Sequence, residues 1–311
     1  MLVFTQSTMP AEPSLPPFDH VRLATLNDLP RVATVAAAGF FWSPTFQFQR
    51  PYYAAHPEDT IASYFAEYQA AIHDPASVVI VAEDSWNEDE RASVYEALRR
   101  ISSSKPKMTS SGKVVVGVCS INLKPGSRRV GQFQTVDHVD PPERDAVQNM
   151  QQRDQCPKAL EIYSKATAPA KTKYLAGQMR LSTLAVHPAY WRKGHATKLV
   201  SFVTRLADMD DLPVGVSAAP MGATVAAKAG FEEQEIIRIK RPHYHQKSSE
   251  FGTLAQPDGP AFGDVELWVG IRQPSSSPSE GSTTEADSPT TNSVPLYSSQ
   301  SCICPPDDLL L

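Results

Sequence analysis

Cysteine is scarce in this chain. Four residues in 311, Cys119, Cys156, Cys302 and Cys304, are too few and too scattered for a disulfide framework, and the Cys302/Cys304 pair has no histidines beside it to complete a zinc site. Reduced thiols and no metal are the expectation. Long apolar runs are missing as well: nowhere do 18 uncharged apolar residues stand together, and the opening MLVFTQSTMPAEPSLPPF has neither the basic nor the apolar region of a signal peptide. A soluble, cytoplasmic protein with no membrane partner is expected. An excess of positive charge is also absent. With 29 Lys+Arg against 34 Asp+Glu, the net charge of −5 supplies no electrostatic footprint for a nucleic-acid backbone, so DNA and RNA are set aside as partners. The ending PPDDLLL has no cysteine to prenylate, and neither GxxxxGK[ST] nor GxGxxG occurs.

What is present divides the chain into a long central part and two ends. From Pro274 the text is PSSSPSEGSTTEADSPTTNSVPLYSSQ, which holds too few apolar side chains to offset the entropy of ordering. Residues 274–311 are expected to be disordered and residues 1–18 to be flexible. Between them lies one expected domain, 19–273, with polar insertions at about 85–112 and 125–176 that are expected to be exposed decoration.

Periodicity assigns the elements within it. A strand at Val21 to Ala24 precedes a helix over Leu29 to Phe40, with Thr25 or Asn27 as cap. A second helix fits DTIASYFAEYQAAIHD, where Ile61, Tyr64, Phe65, Tyr68 and Ile72 recur at three or four. SVVIVAED and KVVVGVCSINL are β-branched runs of strand length. A strand at Met179 to Val186, a helix at His195 to Met209, a strand at Pro213 to Ser217 and a helix at Met221 to Ala229 follow. FEEQEIIRIK and DVELWVGIR are the last two strands. The order is a mixed α/β arrangement.

The stretch LAVHPAYWRKGHATKLV, 184–200, changes from strand to helix across two cations and a glycine. The first amides of a helix have no intrahelical partner and lie at the positive end of its dipole, so such a turn accommodates an anion, phosphate above all. Gly194 would let a ligand approach the backbone closely, and Arg192 and Lys193 add charge. Taken alone, the same turn also reads as an ordinary strand–helix connection.

In LAVHPAYWRKGHATKL the chain resembles the GNAT superfamily of acetyltransferases, whose pattern is a strand ending in Val-His-Pro or a relative, then Q/R-x-x-G-x-G/A, then a helix. VRLATLNDLPRVATVAAAGF is similar to that family's opening strand and helix, and SAAPMGATVAAKAGFEE to its later strand–helix–Gly-Phe element. The insert pattern resembles fungal members. The resemblance implies a mixed, mostly antiparallel central sheet flanked by helices and an acyl-CoA, most simply acetyl-CoA, as co-substrate. It implies that Trp191, Arg192, Lys193, Gly194, His195, Ala196 and Thr197 hold the pyrophosphate, with Lys198 within reach of the adenosine phosphates. Leu184, Ala185 and Val186 would pair with pantetheine, and an amide near Ala185 or Val186 would serve the oxyanion. Trp191 stands where the motif has Gln or Arg.

Acyl transfer needs a deprotonated amine and a proton for the departing thiolate. The tyrosine that protonates it in many relatives is replaced by Ala226, so that role is vacant or falls to Tyr190, Tyr244 or water. No carboxylate lies within GQMRLSTLAV. His243 and His245, two apart with Tyr244 between them, are candidates for proton transfer, with Asp264 and Glu266 as further options. Seven aromatics, Phe40, Phe41, Trp42, Phe46, Phe48, Tyr52 and Tyr53, crowd GFFWSPTFQFQRPYY and suggest a partly apolar pocket for a small-molecule amine. The expected function is direct acetyl transfer to such an amine, the alternative being a catalytically inactive CoA-binding regulatory module.

Overall fold

The computed structural model describes residues 15–102, 105–134, 151–240 and 264–275. Strand β1 (Val21–Leu23) leads through a 3-10 turn (Leu26–Asp28) into α1 (Leu29–Phe40). The carboxylate of Asp28 accepts from both the amide (2.8 Å) and the hydroxyl (3.0 Å) of Thr25, which fixes the entry to the helix. Next come α2 (Pro44–Gln49), α3 (Pro57–His73), β2 (Ser77–Asp84), α4 (Glu96–Ile101) and β3 (Val114–Asn122). The chain continues through α5 (Pro157–Tyr174), β4 (Met179–Val186), α6 (His195–Met209), β5 (Val214–Ala218), α7 (Pro220–Lys228), β6 (Glu232–Ile239) and β7 (Val265–Arg272).

The seven strands form one sheet in the order β1-β2-β3-β4-β5-β7-β6. All neighbours are antiparallel except β4 and β5, which run parallel. β2 and β3 are covered on both faces, which is why their sequences are unbroken apolar runs rather than alternations. β6 lies at an edge, and its exposed Glu232, Glu233 and Glu235 guard it against pairing with another chain.

Helices α1 to α5 pack on one face, where Val79, Val81, Val115 and Ala185 point, and α6 and α7 on the other, with Ile80, Val116, Leu181 and Val216. α1 is apolar nearly all round, with Val32, Ala33, Val35, Ala36, Ala37 and Ala38 buried between sheet and neighbouring helices.

Neither insertion is mere decoration. In the first, Glu90 is buried and accepts from both terminal nitrogens of Arg31 on α1 (2.8 Å each), while Leu98 of α4 is fully buried. In the second, Asp154 is fully buried in an ion pair with Arg50 and accepts from the Thr60 hydroxyl at 2.8 Å. The Cys156 amide donates to the Gln49 carbonyl (2.9 Å), and α5 buries Ala159, Tyr163 and Ala170. A buried charge is stable only with its partner, so Glu90 and Asp154 tie their segments to the core. The ends are also anchored further out than composition suggests. Phe18 stacks on Phe202 at 5.0 Å, and the Ser275 amide donates to Asp208 at 2.7 Å.

Candidate active site

β4 and β5 pair at only three positions, Met179 with Val214, Arg180 with Gly215 and Leu181 with Val216, after which they diverge. A β-bulge sits where they part. Opposite β3, Thr183 pairs with Ser120 and Leu181 with Ile121, so Ser182 is an extra residue. The bulge is held from α3: Tyr68 donates to the Thr183 hydroxyl at 3.0 Å, and that hydroxyl meets Ser120 Oγ at 2.7 Å.

Beyond the bulge β4 stays on β3. The His187 amide donates to the Val116 carbonyl (2.9 Å), and Val186 lies opposite Gly117. Consecutive strand residues turn their amides and carbonyls to opposite edges, so Leu184 and Val186 turn theirs to the cleft side, where the Val186 carbonyl is already taken by the Trp191 indole. Ala185, expected to join them, turns its backbone to β3 instead. The cleft is overhung by α1. A Cβ built on Gly39 would lie 2.9 Å from the Val186 carbonyl oxygen and 3.2 Å from the Ala185 methyl carbon, an approach that glycine alone permits.

The turn after β4 is built to open a helix. His187 is buried and its Nδ1 accepts from the Ala189 amide at 3.3 Å, and burial, helped by Arg31, pushes its pKa down to about 4. Tyr190, a sequence candidate for protonating the thiolate, is fully buried. Its hydroxyl donates to Glu90 (2.9 Å) and accepts from the Asn87 amide (2.9 Å), and burial, with Glu90, raises its pKa to about 12. It pins the first insertion to the turn, and its enclosed, engaged hydroxyl sets it apart from the other options for that role, Tyr244 and water. Trp191 replaces the polar residue of the motif with a different bond, its Nε1 donating to the Val186 carbonyl at 2.7 Å, and its ring meets Trp42 edge-on at 6.1 Å.

Arg192 (φ 60°) and Gly194 (φ 82°) both have left-handed backbone. α6 then begins with no side-chain cap, and nothing lies within 4 Å of a Cβ built on Gly194 among the described residues. Its first turn carries His195, Ala196 and Thr197. His195 points away from a ligand role: it is buried, and its Nε2 lies 3.0 Å from Asp84 at the end of β2. Burial lowers its pKa against the opposing pull of Asp84, so the imidazole is neutral near pH 7. Lys193 lies 3.6 Å from the same carboxylate. Burial would raise the pKa of Asp84, but the Ser85 amide, His195 and Lys193 outweigh it and hold the group below its usual range. A polar cavity of about 470 Å³ adjoins this corner, lined by Arg22, Lys113, Lys193 and Lys198 among others.

Other sequence candidates are dispersed. His243, Tyr244 and His245 lie outside the described residues. Glu266 is paired with Arg238 at 2.7 Å on an exposed edge, and Asp264 is exposed. Of the seven aromatics, Phe40, Phe41, Phe46, Phe48 and Tyr53 are buried, with Phe41 stacked on Tyr95 at 4.2 Å. Only Trp42 and Tyr52 are half-buried, so the cluster is mainly core rather than pocket wall. Ala226 is buried against the α6 face. Among the described residues, no group of three or more His, Cys, Asp or Glu could hold a metal ion, and no helix is long and apolar enough to cross a membrane.

No family model matches the chain. An acetyltransferase from Stachybotrys chartarum is 33% identical over 220 residues, covering 71% of this chain and 83% of that protein. Among solved structures, arylalkylamine N-acetyltransferase 2 from Aedes aegypti matches with 11% identity over 81% of this chain and 97% of its own, at a TM-score of 0.43. The PaiA N-acetyltransferase from Thermoplasma acidophilum matches with 8% identity over 81% and 97%, at 0.38. With the curated relative covering most of both chains, and the turn, cleft and helix standing where the motif requires them, this chain belongs to the GNAT superfamily of acetyltransferases. It is an acetyltransferase.

Proposed function

We propose that the chain transfers an acetyl group from acetyl-CoA to the amine of a small molecule, the amine attacking the thioester directly. The observation that carries this reading is the uncapped start of α6, with open space before Gly194, at the mouth of a cleft where β4 has left β5. Unpaired helix-terminal amides and left-handed turn residues favour a diphosphate there. In this reading Trp191, Arg192, Lys193, Gly194, His195, Ala196 and Thr197 shape the pyrophosphate site, mostly through main-chain amides, with His195 acting by packing. Leu184 and Val186 offer their edge to the pantetheine amides. A backbone amide at one of them serves the oxyanion. Acetyl-CoA supplies the activated acyl group when bound.

For the acceptor, the half-buried ring of Trp42, edge-on to Trp191 at 6.1 Å, offers an apolar surface beside the turn that suits a compact amine. His243, Tyr244 and His245 remain the candidates for moving its proton. A cytoplasmic setting is supported by Cys119 and Cys156 being buried free thiols.

The test pairs calorimetry with coenzyme A and thiol release from acetyl-CoA over a panel of small amines. Wild-type protein is expected to bind and turn over, and Gly194→Asp, which places bulk and negative charge at the helix mouth, to lose at least tenfold in affinity. Unchanged affinity in Gly194→Asp would remove the site, and turnover only with a basic peptide would overturn the small-molecule acceptor.

A further inference from the structure

Three hydroxyl residues stand at the apex of the cleft, and they are not treated alike. Thr183 is fully engaged by Tyr68 and Ser120. Ser182, the bulged residue of β4, and Ser217 of β5 each follow directly on the last paired residues, Leu181 and Val216. Their hydroxyl oxygens are buried and have no hydrogen-bond partner among the described residues. Leu181 and Val216 point to the α6 face, so Ser217, the next residue along β5, turns to the α1–α5 face, where its cross-strand neighbour Val269 also packs. A buried hydroxyl left unpaired is destabilising. An alanine at either position would avoid that cost, and an acceptor atom entering the fork would offset it.

The fork's position identifies the chemistry. A carrier anchored at the mouth of α6 and laid along the β4 edge runs from Val186 back to Ser182, about 13 Å at the usual rise of a strand, and ends where the strands close. Beyond Leu181 and Val216 no ladder holds β4 to β5, so the cleft can admit the end of that carrier. The position that supplies a proton donor in many relatives holds Ala226, buried in the opposite core.

Resting on the acetyl-CoA reading above, we propose that Ser182 and Ser217 are hydrogen-bond donors to the thioester sulfur, stabilising the thiolate as it leaves. The amine lone pair attacks the carbonyl carbon, the N–C bond forms and the C–S bond breaks, and the electron pair departs on sulfur. The nitrogen gives its surplus proton to water. The serines remain neutral, because an alkoxide is far more basic than a thiolate of pKa about 8.5. They solvate the negative sulfur in place of the missing tyrosine, and the thiolate takes its proton from water on release.

The test measures kcat, acetyl-CoA affinity by calorimetry and thermal midpoint for Ser182→Ala, Ser217→Ala, the double variant and Ser217→Thr. Each alanine is expected to lower kcat about tenfold and the pair more steeply. Affinity should stay within about twofold, and the midpoint should hold or rise as an unpaired hydroxyl is removed. Ser217→Thr, which keeps the hydroxyl, should recover most of the rate. A double variant with kcat within twofold of wild type overturns the proposal, as does a rate loss matched by an equal loss of affinity and midpoint. If wild type itself neither binds coenzyme A nor turns over, it is the acetyltransferase site that fails, and the two failures are thereby told apart.

Discussion

The indole Nε1 of Trp191 donates to the carbonyl of Val186 at 2.7 Å, closing the turn before α6 onto the strand that precedes it. The motif's polar residue at this position is thus replaced by a ring that anchors the turn from within. Trp191→Phe keeps the ring and removes the donor. Coenzyme A affinity is expected to fall about tenfold or less, in line with one hydrogen bond of about 1 kcal/mol. Calorimetry on the two proteins checks this, and equal affinities would show that the bond does not organise the turn.

Gly39 is in the last turn of α1, where alanine would ordinarily favour the helix by a fraction of the roughly 1 kcal/mol seen in helix interiors. Here a Cβ would come within 2.9 Å of the Val186 carbonyl, and overpacking of this kind costs about 1–3 kcal/mol. Gly39→Ala is therefore expected to lower stability in urea denaturation and to weaken coenzyme A binding by shifting the cleft edge. A gain in stability would mean that α1 can move away from β4 freely.

Arg50 and Asp154 are each almost wholly buried and paired. Removing one partner of such a pair leaves a buried charge, at about 3–5 kcal/mol. Asp154→Ala should lose that much in chemical denaturation, whereas the double change Arg50→Met with Asp154→Leu should lose much less. Equal losses would show that packing, rather than charge, is what the second insertion contributes.

His187 gives stability a pH dependence. Its folded pKa of about 4 is below the usual 6.5, so between these values the unfolded chain binds the extra proton and folding opposes it. The contribution is complete above about pH 6.5 and is lost as pH falls toward 4, by up to roughly 3 kcal/mol. Denaturation at pH 7.5 and pH 4.5 should show a smaller loss for His187→Gln than for wild type. Identical slopes would place the acid sensitivity elsewhere, with Asp84 the first alternative, since its lowered pKa acts in the same direction at lower pH.

Much of the scaffold is local information. α1 begins and ends at Leu29 and Phe40, as its periodicity and the turn before it require, and β2 and β3 announce themselves by unbroken β-branched runs. The strand–turn–helix at Val186 to His195 is legible for the same reason: a His-Pro turn and a glycine in left-handed backbone depend on neighbours in sequence. The short helix α2 was not legible, because its Pro44 start and aromatic content read as loop until Phe46 and Phe48 find the core.

The sequence by itself therefore determined the order of elements and the glycine turn between β4 and α6, set by residues within a few positions of one another. Only the tertiary structure decided that Ala185 faces β3 while Val186 faces the cleft, and that Tyr190 is locked to Glu90. It also decided that buried residues of both polar insertions, such as Glu90 and Asp154, join the core, and that Ser182 and Ser217 stand at the strand fork with no hydrogen-bond partner among the described residues. These outcomes depend on strand register and on partners up to 115 positions away, as Tyr68 is from Thr183. A bulge or a buried hydroxyl acquires meaning only from what the fold places opposite it.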